Sequence, residues 1–202
     1  MSIAAPAPRV LVENITAPWV RDFVVVLGAV GFIGAMAQIS IPLPFTPVPL
    51  TGQTFAVLLS VAAIGAWRGI ASTALYLAAA VAGAPVLAPQ ADGSHVTGLS
   101  VFGLSSIGYI LGFIVAAMVV GRLAERGFTR TPLRTAFAMV GGNLAIYAIG
   151  VPVLQASTGA DWSTAFAWGL TPFLIGDALK IVIAAGLLPA TWAGINRFSS
   201  SR

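Results

Sequence analysis

Polar and apolar positions along this chain segregate on the scale of twenty residues rather than of two or four. Charged side chains are absent from residues 23–67, 69–91, 96–121, 135–160 and 181–196. A hydrocarbon layer about 30 Å thick takes about 20 helical residues to cross, so most of these runs hold one span and the first holds two. Turn signals inside the runs divide the sequence into six helices, near 22–40, 51–67, 69–88, 101–121, 134–155 and 166–192. Ten-residue segments of alternating polarity are missing, which argues against a membrane barrel. Small residues recur at helical spacing, as in GYILG (108–112) and in Ala74, Ala78 and Ala82; they let helix backbones approach closely. The last helix exceeds one span, and Pro172 marks where it starts or bends.

Composition agrees with this pattern. Hydrophobic residues make up 58% of the 202 and charged residues 8%, with a mean hydropathy of +0.95. Soluble domains carry about 25% charged residues, and this chain has too few to cover a water-facing surface. The expected fold is an all-α integral membrane bundle of six transmembrane helices over 22–192, with a short segment before it (1–21) and a tail after it (193–202). Of the ten basic residues, nine fall at one side of that bundle: Arg9 and Arg21, Arg68, the group Arg122, Arg126, Arg130 and Arg134, then Arg197 and Arg202. Basic loops stay cytoplasmic, so both termini are placed inside. The loops on the other side hold Asp92, His95 and Asp161. Positive-inside topology accounts for the net charge of +4, and no nucleic-acid partner is called for. AMA (35–37) imitates a signal-peptidase site, but its leader has two acids balancing two bases and cleavage is not expected. The triplet NIT (14–16) falls on the cytoplasmic side, where glycosylation is not expected. Without cysteine, disulfides and thiolate metal sites are excluded.

The tenth basic residue is the informative one. Lys180 follows Asp177 by three positions in GDALK (176–180), which puts both on one helix face. An ionisable residue inside a span costs about 2.5–3.5 kcal/mol on insertion scales and usually lines a pathway or cavity. One reading is an ion pair that locks the sixth helix to its neighbours. The other is a ligand site, with Lys180 meeting an anionic group and Asp177 orienting it or accepting hydrogen bonds. Asn143 and Tyr147 lie four apart on the fifth helix, Gln53 and Thr54 open the second, and Tyr109 sits in the outer part of the fourth. Amide side chains both donate and accept, which suits a urea-like ligand. His95 stands alone in a loop, no GxxxxGK[ST] phosphate loop occurs, and neither a metal nor a cofactor is expected.

Between the first two helices lies ISIPLPFTPVPLTGQTF (39–55), with prolines at 42, 44, 47 and 49. Proline fixes φ and keeps a segment extended, so little entropy is lost on ordering it. Apolar side chains between the prolines, Phe45 among them, let such a segment cover an opening. A stiff connector packed on the bundle is the plainer alternative.

The stretch PLPFTPVPLTGQTFAVLL (42–59), with N…IY..GVP (143–152) and GDALK, resembles the BioY family, the biotin-specific S subunits of energy-coupling-factor (ECF) vitamin transporters. The resemblance implies a six-helix bundle in a prokaryotic cell membrane with a vitamin pocket near its outer side. It implies partnership with a transmembrane coupling protein and paired ATPases, and places Asp177 and Lys180 in the biotin site. Small residues of the first helix, here Gly28, Gly31 and Ala35, would dock the coupling protein. Many relatives have Gly-Pro-Thr-Gly-Gly-Tyr where this chain has GLSSIGY (103–109), so Ser105 and Ser106 stand in for that motif. Biotin's carboxylate suits Lys180, its ureido ring suits Asn143, Gln53 or Asp177, and Phe45, Tyr109, Tyr147 and Trp168 could wall its thioether ring. A self-sufficient carrier of biotin or another small anionic vitamin is the alternative. An intramembrane enzyme would need a nucleophile with a base, or paired carboxylates, which this sequence lacks.

Overall fold

The structure, a computed structural model, describes residues 18–200. Arg9, Arg202, the 14–16 triplet and the rest of the N-terminal segment before Pro18 lie outside the described residues. Helix α1 (Pro18–Ala37) leads into a two-stranded clasp, β1 (Ser40–Ile41) against β2 (Leu50–Thr51). Ser40 pairs with Thr51 and Ile41 with Leu50, antiparallel. Then come α2 (Gln53–Ile64), α3 (Ala66–Val81), α4 (Ile107–Glu125), α5 (Pro132–Thr158), α6 (Trp162–Gly169) and α7 (Leu174–Ser200).

The order of helices follows the sequence expectation, but three details differ. The expected helix over 166–192 is two helices, parted by a 3-10 turn, Thr171–Phe173, that contains Pro172. Asp161 starts the first piece: its carboxylate accepts the Thr164 amide at 2.8 Å, and that bond holds the carboxyl below its usual pKa range. The expected start of the fourth helix at 101 is instead a 3-10 segment, Gly98–Gly103, and α4 begins at Ile107.

The second and third helices are also shorter than expected. Gly65 (φ 89°) breaks the chain between them, and Gly83 (φ 103°) follows the end of α3; both need the left-handed region that glycine enters freely. At 1.5 Å per residue, α2 rises about 18 Å and α3 about 24 Å, less than a bilayer core. Four stretches are long and apolar enough to cross a membrane: Trp19–Ala37, Ile107–Glu125, Pro132–Thr158 and Trp162–Ile195. Helix α2 is apolar all round because it is covered all round. None of its residues is exposed, and it packs on α1, α3, α4, α5 and α7. That is the pattern of a central helix rather than a lipid-facing one.

The most extensive helix interface is α4 with α5. There a Cβ on Gly112 would lie 2.9 Å from the Ile146 backbone, so glycine permits the close crossing. The bundle has two chemically distinct ends. At one, the Asp22 carboxylate accepts from Arg21 Nε (3.0 Å) and Arg68 Nε (2.8 Å). Glu125 accepts the Ala66 amide at 2.9 Å, and Trp192 donates to Thr129 at 3.1 Å beneath the Arg130 guanidinium. These contacts gather the start of α1, the α2–α3 turn, the end of α4 and the C-terminal part of α7. At the opposite end the proline-rich segment lies against α6, where Thr46 donates to the Trp168 carbonyl at 2.9 Å. Helices α1 to α5 and α7 therefore run alternately between the two ends, with α6 at the second.

Candidate binding site

A cavity of about 240 Å³ opens at the end opposite the arginines. The clasp ties the two ends of segment 42–49 together, and the loop it closes forms the roof, with Pro42, Leu43, Thr46, Pro47, Val48 and Pro49 facing the cavity. The start of α2 supplies Gln53 and Thr54, α4 supplies Tyr109, Ile110 and Phe113, and α5 supplies Tyr147. Phe173, Asp177 and Lys180 close the far wall.

Lys180 lies six residues into α7, about 9 Å below its start at 1.5 Å per residue. Its ammonium donates to Thr54 Oγ1 (2.8 Å), the Thr51 carbonyl (3.0 Å) and Asp177 Oδ1 (3.4 Å). An ammonium has three donors, and all three are engaged. Asp177 is buried at 5% exposure, and its second carboxylate oxygen accepts from the Tyr147 hydroxyl. The cavity wall thus carries a lysine and a carboxylate that neutralise each other, both stabilised by neutral partners. Breaking such a buried pair costs far more than the pair contributes.

The aromatic side chains are fixed as firmly. Tyr109 donates to the Gly169 carbonyl at 2.8 Å, meets Tyr147 edge-on at 6.3 Å and lies 6.5 Å from Phe173. A Cβ on Gly150 would fall 2.5 Å from the Tyr109 ring, so glycine makes room for the ring. Gln53 donates to Tyr76 at 2.7 Å, and Tyr76 donates on to the Val86 carbonyl at 2.9 Å. That relay holds the next loop, whose residues Leu87 to Ala91 form a further wall.

Of the residues singled out in the sequence, Asp177, Lys180, Gln53, Tyr147, Tyr109, Ser105 and Ser106 all line this cavity. Two lie elsewhere. Phe45 is 57% exposed and points away from the cavity that its proline neighbours roof. Asn143 is buried beside a separate small void that it shares with Thr54 and Lys180. Trp168 offers the roof its carbonyl, not its ring, to the cavity. The sequence reading missed the lysine's tie to Thr51, the aromatic walls Phe113 and Phe173, and the whole 87–91 segment. A signal for the last was present: GAPVLAPQ (83–90) is, like the roof, an uncharged apolar stretch interrupted by prolines, here Pro85 and Pro89. Gly28, Gly31 and Ala35 are far from the cavity, on the exposed face of α1. A Cβ at Gly28 or Gly31 meets nothing within 4 Å, whereas one at Gly34 meets Val86 at 3.6 Å.

The BioY family model matches residues 8–197. This chain belongs to the BioY family. The biotin transporter BioY of Rhizobium etli is 32% identical over 182 residues, 86% of this chain and 94% of that one. The biotin transporter BioY of Rhodobacter capsulatus is 34% identical over 182 residues, 85% and 89% of the two chains. That of Thermotoga maritima is 38% identical over 154 residues, 74% and 82%. The crystal structure of the S-component for biotin from an ECF-type ABC transporter matches with a TM-score of 0.75, covering 87% of this chain and 93% of that one. At 20% identity that likeness concerns the fold. As a BioY chain this is a transporter component and not an enzyme, and the family match encloses the roof, the cavity and the arginine end alike.

Proposed function

We propose that this chain is the biotin-binding subunit of an ECF-type vitamin uptake system, capturing biotin in the roofed cavity. The observation that carries this reading is the combination of BioY membership with a closed polar triad, Tyr147–Asp177–Lys180, in the wall of the cavity. The charge balance of that wall favours one orientation of the vitamin. A ligand carboxylate brought to Lys180 would also meet Asp177, 3.4 Å away, and be repelled. The ureido ring suits the pair better, its N–H groups donating to Asp177 and its carbonyl accepting from Lys180. The valerate carboxylate then extends toward Ser105 and Ser106 at the start of α4. In this reading Lys180 exchanges one of its present acceptors for the ureido carbonyl rather than for the carboxylate expected from the sequence, because the adjacent acid repels an anion.

The chain lies in a prokaryotic cell membrane with six crossings, α2 being the covered central one and α6 a cap. The arginine end is cytoplasmic, so both termini are inside and the cavity faces out. Small residues on the exposed face of α1, Gly28, Gly31 and Ala35, leave a shallow track into which a helix of the coupling protein packs, with paired ATPases supplying the energy. Capture of a scarce vitamin calls for nanomolar-class affinity, about −12 kcal/mol, which enclosure by roof and aromatic walls supplies more than any single polar contact. Calorimetric titration of detergent-solubilised protein with biotin, thiamine and riboflavin tests the reading. Tight binding of biotin alone is expected; equal binding of all three, or of none, rejects it.

A further inference from the structure

The arginine end has a feature that vitamin binding does not use. Arg21 on α1 and Arg68 at the start of α3 converge on one acceptor, Asp22 Oδ1, at 3.0 and 2.8 Å. Both arginine side chains are largely buried, at 14% and 18% exposure, while the carboxylate between them is 45% exposed. The group therefore carries one net positive charge, in a cleft whose two guanidiniums are largely covered and whose carboxylate is open. Arg68 spends one terminal nitrogen on the Ile64 carbonyl at 3.2 Å. Trp19, two residues before Arg21, and Trp67, next to Arg68, are 80% and 78% exposed. Tryptophan left so bare on a membrane protein marks the depth of the lipid headgroups, and a basic cleft between helices at that depth matches an anionic headgroup.

We infer that the cleft formed by Arg21, Asp22 and Arg68, with Trp19 and Trp67 beside them in the chain, binds the phosphate of an anionic membrane lipid. The two guanidiniums hold the phosphodiester oxygens, the indoles pack on the glycerol and upper acyl region, and Asp22 keeps the arginines aligned while weakening their pull. The inference rests on the membrane setting of the bundle and is independent of what the cavity holds.

Native mass spectrometry of the purified full chain, titrated with phosphatidylglycerol or phosphatidylcholine, tests it. Phosphatidylglycerol is expected to be retained in preference. Each arginine near a headgroup contributes enough that Arg21→Gln or Arg68→Gln should weaken its binding about fivefold. Biotin binding by Arg21→Gln, which leaves the Arg68–Asp22 contact in place, reports that the variant is folded. Asp22→Asn, by removing the opposing charge, should strengthen phosphatidylglycerol binding in a way that a purely structural ion pair would not. Equal retention of the two lipids, unchanged phosphatidylglycerol binding in both arginine variants, or weaker binding by Asp22→Asn would overturn the inference. Excess inorganic phosphate should leave the lipid adduct in place; its displacement would assign the cleft to a free anion instead.

Discussion

Asp177 and Lys180 are legible as a pair because they lie one helical turn apart on a single element. What surrounds them is not legible in the same way. The lysine's closest partners, Thr54 and the Thr51 carbonyl, are 126 and 129 residues away in sequence, and no local spacing announces them. Their presence adds two neutral acceptors to the pair expected from the sequence, so that all three ammonium donors are engaged. Replacing Lys180 with alanine should weaken biotin binding at least tenfold, since a buried carboxylate is left unpaired. The uncharged amide of biotin distinguishes the two orientations: calorimetry should give the same fold-loss for biotin and its amide in Lys180→Ala. A loss confined to biotin would return the carboxylate to Lys180. Tyr147→Phe should cost about thirtyfold, as loss of roughly 2 kcal/mol for a hydrogen bond to a charged group implies; unchanged affinity would make the tyrosine a wall rather than a partner.

At the level of elements, the roof and the central helix tell opposite stories about what sequence reveals. The proline spacing of 42–49 predicts a stiff, extended segment; the structure instead turns it at 44–45 and bends it at 47–48, a loop closed by a two-residue clasp. Phe45 leaves the cavity because the segment turns at Pro44–Phe45, which carries that side chain outward while Leu43 and Thr46 on either side face in. Helix α2 was misread in length, and its position within the bundle was not predicted at all. An apolar run looks alike whether lipid or protein surrounds it, and only the contacts of five neighbouring helices identify α2 as central. The sixth predicted helix divided at Pro172, a breaker that was visible but whose effect, bend or break, depended on α6 packing against α5. Thr46→Val removes the bond from the roof to α6 and should speed biotin release about fivefold, as loss of roughly 1 kcal/mol implies; stopped-flow displacement measures it, and an unchanged rate would free the roof from α6. Ser40 Oγ in the clasp is buried without a partner among the described residues. Ser40→Ala should therefore leave thermal stability equal or higher, whereas a clear loss would mean that the hydroxyl has a partner such as buried water.

For the molecule as a whole, the proposed function assigns capture and delivery to different surfaces. The cavity lies between α2, α4, α5 and α7, while the bare small-residue track lies on the outer side of α1. Gly31→Leu or Ala35→Leu should therefore abolish uptake by cells while leaving biotin affinity of the purified protein intact. Normal uptake would remove α1 from the coupling role, and lost affinity would mean that the two surfaces are not separable. The arginines set a further condition on delivery. Seven of them, Arg21, Arg68, Arg122, Arg126, Arg130, Arg134 and Arg197, stand at or beside one end, and drawing each to the bilayer centre would cost about 2.5–3.5 kcal/mol. Under the proposed function, a movement that carries the cavity toward the cytoplasm cannot be a translation of the whole body, because that would push the apolar flanks of the helices into water. A rotation that leaves the arginines at their leaflet makes that end the fulcrum, and the roofed end the part of the lever that swings.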